Sequence, residues 1–151
     1  MILLAEAAAY HQRRLRDHAA DFGPDVRARL TQGELYAATE YLTAQRLRRR
    51  VVAGFTAALN DVDLLVTPTT PTTAPAWPGP PVETPNPATR CTFPINVCSL
   101  PALSVPCGFD GRGLPVGLQI IGRAFDEATV LRAGHAYERA TAWRDRRPSV
   151  F

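Results

Sequence analysis

Two short runs joined by a tight reversal constrain this chain more than any other part of it. Ala102–Phe109 (ALSVPCGF) and Pro115–Ile121 (PVGLQII) alternate in side-chain size. Asp110-Gly111-Arg112-Gly113 between them offers the positive-φ positions that a sharp turn needs, so the two runs are expected to pair antiparallel. On the first strand Leu103, Val105, Cys107 and Phe109 share one face, and Ala102, Ser104 and Pro106 share the other. On the second, Val116, Leu118 and Ile120 oppose Gly117, Gln119 and Ile121. One face of the hairpin is therefore bulky and apolar. The other is small, with Ser104 and Gln119 as its polar members. The residues from Phe93 up to the first strand read as a turn.

Upstream the period changes to that of a helix. Residues 1–20 place Leu3, Leu4, Ala8 and Leu15 on one broad side, and Phe22-Gly23-Pro24 stops that helix. Pro24 suits the first turn of a short helix, Asp25–Gln32, which Gly33 can close. A long helix is expected from Glu34 to Asn60, with Leu35, Ala38, Leu42, Val52, Phe55 and Leu59 in one stripe that Gln45 and Arg49 interrupt. Leu64-Leu65-Val66 reads as a short buried strand. Pro68–Pro87 then holds more than half of the chain's 14 prolines, and proline removes amide donors and fixes φ. That segment is expected to be a long irregular loop, either a pocket wall or a loose flap. After the hairpin, Asp126 is placed to cap a last helix, Glu127–Ala142, with Val130, Gly134, Tyr137 and Thr141 in a stripe. The order of elements reads as an α/β or α+β layer, and its three obvious strands, each apolar on at least one face, read as part of a larger sheet.

Composition narrows the classes. A chain of 151 residues with 46% hydrophobic content can bury a core. Formal net charge is +3, and all 17 basic residues are arginine. The clusters Arg46–Arg50 and Arg144–Arg147 lack interleaved aromatics and read as solvated faces, which argues against a nucleic-acid partner. Cys91, Cys98 and Cys107 show no CxxC spacing and fit the reduced thiols of a cytoplasmic protein. No apolar run approaches the roughly 20 residues of a membrane helix, so no membrane partner is expected. Met1–Ala9 is too short for a signal peptide and carries Glu6. His11 and His18 lie seven residues apart with no third ligand near them, so no metal is expected. Cys98 as a nucleophile would want a histidine partner and reads better as a small buried hydrophobe. The hairpin glycines do not open a helix and form no phosphate cradle.

Several segments together resemble the amidase signature family, in the family's own order. They are Pro24–Gly33 (PDVRARLTQG), Tyr41–Arg49 (YLTAQRLRR), Asp61–Pro75 (DVDLLVTPTTPTTAP), Asn96–Gly108 (NVCSLPALSVPCG) and Leu114–Gly122 (LPVGLQIIG). The paired NxxxxPAxSxPxG and GLPxGLQxIG elements are the specific part of the match. One departure is Ser99, which stands where the family often has glycine at a positive-φ turn. The resemblance implies a fold class of α/β, with a partial mixed sheet and a C-terminal β-hairpin flanked by helices, matching the C-terminal part of the family's fold. It further implies that residues 1–151 form one segment of an amidase-like domain whose catalytic N-terminal part is absent.

The family cleaves or transfers carboxamide nitrogen with a serine, a bridging cis-serine and a lysine, without cofactor. A buried neutral lysine takes the proton, and the second serine attacks the carbonyl. Here the serines are Ser99, Ser104 and Ser149, and there is no lysine. None of the triad carries over, so the chain is expected to be inert by itself. What the resemblance carries over is pocket wall: Thr67, Pro68 and Thr69, which equally suit a plain strand-to-loop turn. Gln119 is open to two roles, a hydrogen bond to a ligand or one to a neighbouring strand. Arg29 matches an arginine that the transamidase subgroup can offer to a substrate carboxylate, and it equally suits a helix surface. The expected partners are an amidase N-terminal half or a second copy of the chain, and a small amide only once the site is completed. The other class of function is a binding or scaffolding role.

Overall fold

A computed structural model describes residues 1–76 and 87–147. Its helices are α1 (Ile2–Asp17), α2 (Pro24–Glu34), α3 (Ala38–Asn60), α4 (Phe93–Cys98) and α5 (Glu127–Ala140), and its strands are β1 (Leu65–Pro68), β2 (Ala102–Phe109) and β3 (Pro115–Ile121). Short 3-10 turns lie at Ala19–Asp21, Pro87–Thr89 and Trp143–Asp145. The chain divides into two compact units, Met1–Arg50 and Val51 onward, with α3 running through the division.

In the first unit α1 and α2 pack closely because Gly33 has no side chain. A Cβ there would collide with the Leu4 carbonyl and lie 2.8 Å from the Ala8 Cβ. Gly33 therefore does not close α2, as expected from the sequence, but sits inside it, and the helix runs on to Glu34. Ala8, Leu15 and Leu30 are buried, whereas Leu3, expected on the same side, is exposed. His18 falls beyond the end of α1, so it shares no helix face with His11. α3 begins at Ala38 rather than Glu34, because α2 occupies residue 34 and the Glu40 carboxylate receives the Ala37 N–H at 2.9 Å. Gln45, an interruption in the expected stripe, donates to the Tyr41 hydroxyl at 2.7 Å, which itself donates to Glu6 of α1. The stripe is not one buried face. Leu35 and Leu42 are exposed and Leu59 is buried.

The second unit is an α/β layer. Its sheet has the order β1-β3-β2, and both pairings are antiparallel. The hairpin pairs as the turn chemistry requires. A register shift between Pro106 and Gly108 inserts Cys107 as an extra residue, so strict alternation does not continue to Phe109. Gly108 carries the bulge at φ +149. α5 covers one sheet face, where Val105, Ile120 and Val130 form a core with Leu103, Leu118 and Tyr137 packed against it. Gly134 permits this, because a Cβ there would collide with Leu103. On the opposite face Ile121 is fully buried.

Four further elements differ from expectation. β1 extends through Pro68, which an edge strand tolerates because its amide side need not pair. Pro87 lies in a 3-10 turn, and residues 77–86 of the expected loop fall outside the described residues. The expected turn at Phe93 is instead the short helix α4, closed by Ser99 in the left-handed region at φ 56. Leu100 N–H bonds the Ile95 carbonyl and Ser99 N–H the Asn96 carbonyl, the pattern of a Schellman cap. α5 ends at Ala140, and the Asp126 side chain accepts from the Thr129 hydroxyl at 2.7 Å rather than from the helix backbone. Arg123 closes α3, donating to the Leu59 carbonyl at 3.1 Å and the Val62 carbonyl at 2.9 Å.

Candidate functional site

The sheet face away from α5 carries a polar row that crosses all three strands. The register sets Thr67 of β1 and Ser104 of β2 on either side of Gln119 in β3. Gln119 is 4% exposed, and a buried amide without partners would cost about 1–3 kcal/mol. Its nitrogen donates to Thr67 Oγ1 at 2.9 Å and to the Cys91 carbonyl at 3.1 Å. Thr67 in turn donates to the Pro68 carbonyl at 3.1 Å.

One residue further along, Thr69 extends the ladder, its N–H reaching the Gly117 carbonyl at 2.8 Å. Gly117 lies between the outer strands and has no side chain, so the Thr69 and Ser104 hydroxyls meet above it at 2.6 Å. A Cβ at residue 117 would stand 2.8 Å from both oxygens. Glycine is therefore required here by the close approach of two neighbours.

The hairpin turn closes this end of the face. Asp110 Oδ1 accepts from the Arg112 N–H at 2.8 Å and the Leu114 N–H at 2.9 Å. Asp110 Oδ2 accepts from the Thr73 hydroxyl at 2.6 Å, and Arg112 Nη2 donates to Thr73 Oγ1 at 2.8 Å. The Thr73 hydroxyl, followed by the Leu114 N–H, holds the Asp110 carboxyl down at about 2, from an ordinary 3.8; desolvation opposes them, and the two smaller Arg112 contacts add to the lowering.

Chemically the row is a set of hydroxyls beside one buried amide, whose nitrogen is already bonded to Thr67 and to the Cys91 carbonyl. It can orient a ligand by hydrogen bonds, and none of Thr67, Thr69, Ser104 and Gln119 is a base near neutral pH. Among the described residues no group of three His, Cys, Asp or Glu side chains could hold a metal ion. Of the residues singled out in the sequence, Thr67, Thr69 and Gln119 come together at this row, whereas Pro68 pairs with Leu118 and so shares the other face, lending the row only its carbonyl, which accepts from Thr67. Arg29 is exposed on α2, in the first unit. Sequence reasoning missed Ser104, Gly117, Thr73, Asp110 and Arg112 as members. Ser104 had a signal, since it shares the small face with Gln119, but its partner Thr69 becomes visible only when β1 is placed beside β3.

Comparisons with known proteins bear on this arrangement. The family model described as Amidase matches residues 5–131. A glutamyl-tRNA(Gln) amidotransferase subunit from Chloroflexus aggregans is 48% identical over 138 residues, which is 85% of this chain and 28% of that protein. The corresponding subunit from Brevibacillus brevis is 43% identical over 135 residues, covering 84% of this chain and 27% of its own. Among solved structures, a crystal structure of an amidase superposes with a TM-score of 0.80 at 29% identity, over 92% of this chain and 33% of that one. The crystal structure of a glutamyl-tRNA(Gln) amidotransferase subunit from Thermotoga maritima gives a TM-score of 0.67 at 29% identity, over 93% of this chain and 33% of its own. The chain thus spans less than a third of the length of the curated relatives it matches.

Proposed function

The chain belongs to the amidase family, and on that premise we propose that it is the C-terminal segment of a carboxamide hydrolase or amidotransferase. In this reading residues 1–151 are one segment of an amidase-like domain. The polar row of Thr67, Thr69 and Gln119, with the Pro68 carbonyl beside it, is a wall of the amide pocket, and Arg29 is a further pocket residue. Catalysis would need a serine, a bridging serine and a lysine from elsewhere. One observation carries the reading: a chain with no lysine matches relatives of which it covers 28%. The residues of the row can bind and orient an amide, but none can accept the proton that attack on it releases.

By itself the chain is then catalytically inert, takes a small amide only when the site is completed, and uses no cofactor. A cytoplasmic setting belongs to the same proposal and is supported by three cysteines that remain thiols. Ammonia release from glutamine or benzamide by the purified chain tests the reading, and none above the buffer rate is expected. Release that tracks the protein concentration would overturn it.

A second reading is that the chain serves as a binding component, completing a separately encoded catalytic half or associating with itself. It is favoured by large aromatics left in water, Phe93 at 52% and Phe125 at 95% exposure. Such residues cost hydrophobic stabilisation until something covers them. Sedimentation of the chain alone separates the two forms of this reading, because a monomer excludes self-association.

A further inference from the structure

Two separate fastenings hold the segment that follows β1. At its start Thr69 is tied to the sheet, through its N–H to the Gly117 carbonyl and its hydroxyl to Ser104. At its end Thr73 is tied to the β2–β3 turn, giving a hydrogen bond to Asp110 and receiving one from Arg112. Between them the Thr70 hydroxyl donates to the Thr72 carbonyl at 2.8 Å and stiffens the intervening residues. The ties reach 37 residues to Asp110 and 39 to Arg112 along the chain, so local turn formation does not account for them.

Asp110 could shape its turn without Thr73. Its Oδ1 already receives the Arg112 and Leu114 amides, which is sufficient for an aspartate-initiated reversal. The second oxygen points the other way, to Thr73, and the Arg112 guanidinium bridges both partners with Nη2 3.3 Å from that oxygen. One carboxylate thus serves two tasks with two different oxygens. Hydrogen bonds to a charged acceptor are the strong kind, and a planar guanidinium fixes their direction.

We propose that Asp110 and Arg112 are positioning residues: a clasp that grips Thr73 and thereby holds Thr69, and with it the wall of the polar row, against the sheet. The clasp itself stands on geometry alone. Its consequence for ligand binding rests on the reading of this face as a pocket wall. Release of Thr73 would free the segment back to Thr69 and loosen the hydroxyl pair above Gly117, while the hairpin kept its own register.

Hydrogen exchange on the full chain, followed amide by amide, tests this with Thr73→Ala. The expected result is that the Thr69 amide exchanges roughly three- to tenfold faster, the scale of one lost hydrogen bond. The Leu114 and Gly113 amides of the turn should stay unchanged, and those of Ile120 and Ile121 should confirm an intact sheet. Thr73→Ser keeps the hydroxyl and should restore slow exchange at Thr69. Unchanged exchange at Thr69 in Thr73→Ala would overturn the proposal and leave Asp110 as a turn residue only. So would a failure of Thr73→Ser to restore it. If Thr73→Ala does not fold, Arg112→Ala supplies a milder comparison, because it removes one of the two ties to Thr73 and leaves the hydrogen bond to Asp110. A smaller acceleration at the Thr69 amide is then expected, and unchanged exchange there would overturn the part assigned to Arg112. None of these outcomes depends on amide turnover, so the clasp and the proposed function can fail independently.

Discussion

Glycine at position 117 leaves room for two hydroxyls that a side chain on the middle strand would keep apart. Thr69 and Ser104 reach across it from either side and meet at 2.6 Å. Replacing Gly117 with alanine puts a methyl group 2.8 Å from each oxygen, an overpacking that costs about 1–3 kcal/mol. The same change at Gly111, where no atom lies within reach of an added Cβ, should cost far less. Urea unfolding of the two variants provides the comparison, and equal midpoints would show that the hydroxyl pair does not constrain this position. Asp110 gives a second test at this scale. Its carboxyl is held at about 2 instead of 3.8, first by the Thr73 hydroxyl and then by the Leu114 amide. A depressed folded-state value means that the charged form is favoured by folding, so its contribution is fully present above pH 3.8. That contribution falls away as the pH drops from 3.8 toward 2. In an NMR titration the Asp110 carboxyl should therefore remain ionised at about pH 3, whereas in Thr73→Ala its midpoint should move up toward 3.8. A wild-type midpoint at 3.8 would remove the electrostatic part of the description.

Among the elements, α4 shows how a single substitution is accommodated. Ser99 adopts φ 56 to close the helix, in a place that glycine occupies at less cost. Ser99→Gly is expected to stabilise the chain by about 0.5–1 kcal/mol, seen as a higher urea midpoint at unchanged slope. A lower midpoint would mean that the serine hydroxyl contributes more than the backbone strain removes. The elements also differ in how readable they were. The β2–β3 hairpin was legible because Asp110 to Gly113 is local turn chemistry, and α5 because its apolar period is long. The helix α4 was hidden by its six residues and by prolines at 94 and 101, which argue for a turn. The boundary between α2 and α3 was missed because Gly33 looks like a helix stop, whereas its missing side chain serves helix contact. The bulge at Cys107 and the capping of α3 by Arg123 depend on partners distant in sequence, which no local pattern reports. The polar row was half legible. Gln119 and Ser104 share a face by alternation, but their meeting with Thr67 and Thr69 required β1 to lie beside β3. Arg29, grouped with them by resemblance, is carried by the other unit.

At the level of the whole molecule, hydroxyls, an amide and a clasped segment line a sheet face that offers no base. On the proposed reading, a chain with that inventory serves the amidase family as binding surface, with the chemistry supplied by residues beyond these. The exposed aromatics and the outer edges of β1 and β2 are what a sheet of this kind leaves when it is one part of a wider layer. The most direct measurement is the intact mass of the purified chain after exposure to a fluorophosphonate, which modifies only serines whose hydroxyl is activated by a neighbouring base. The expected result is an unchanged mass, since the chain holds no lysine to activate Ser99, Ser104 or Ser149. Stoichiometric addition of one phosphonyl group, lost on replacing Ser104 with alanine, would contradict the account.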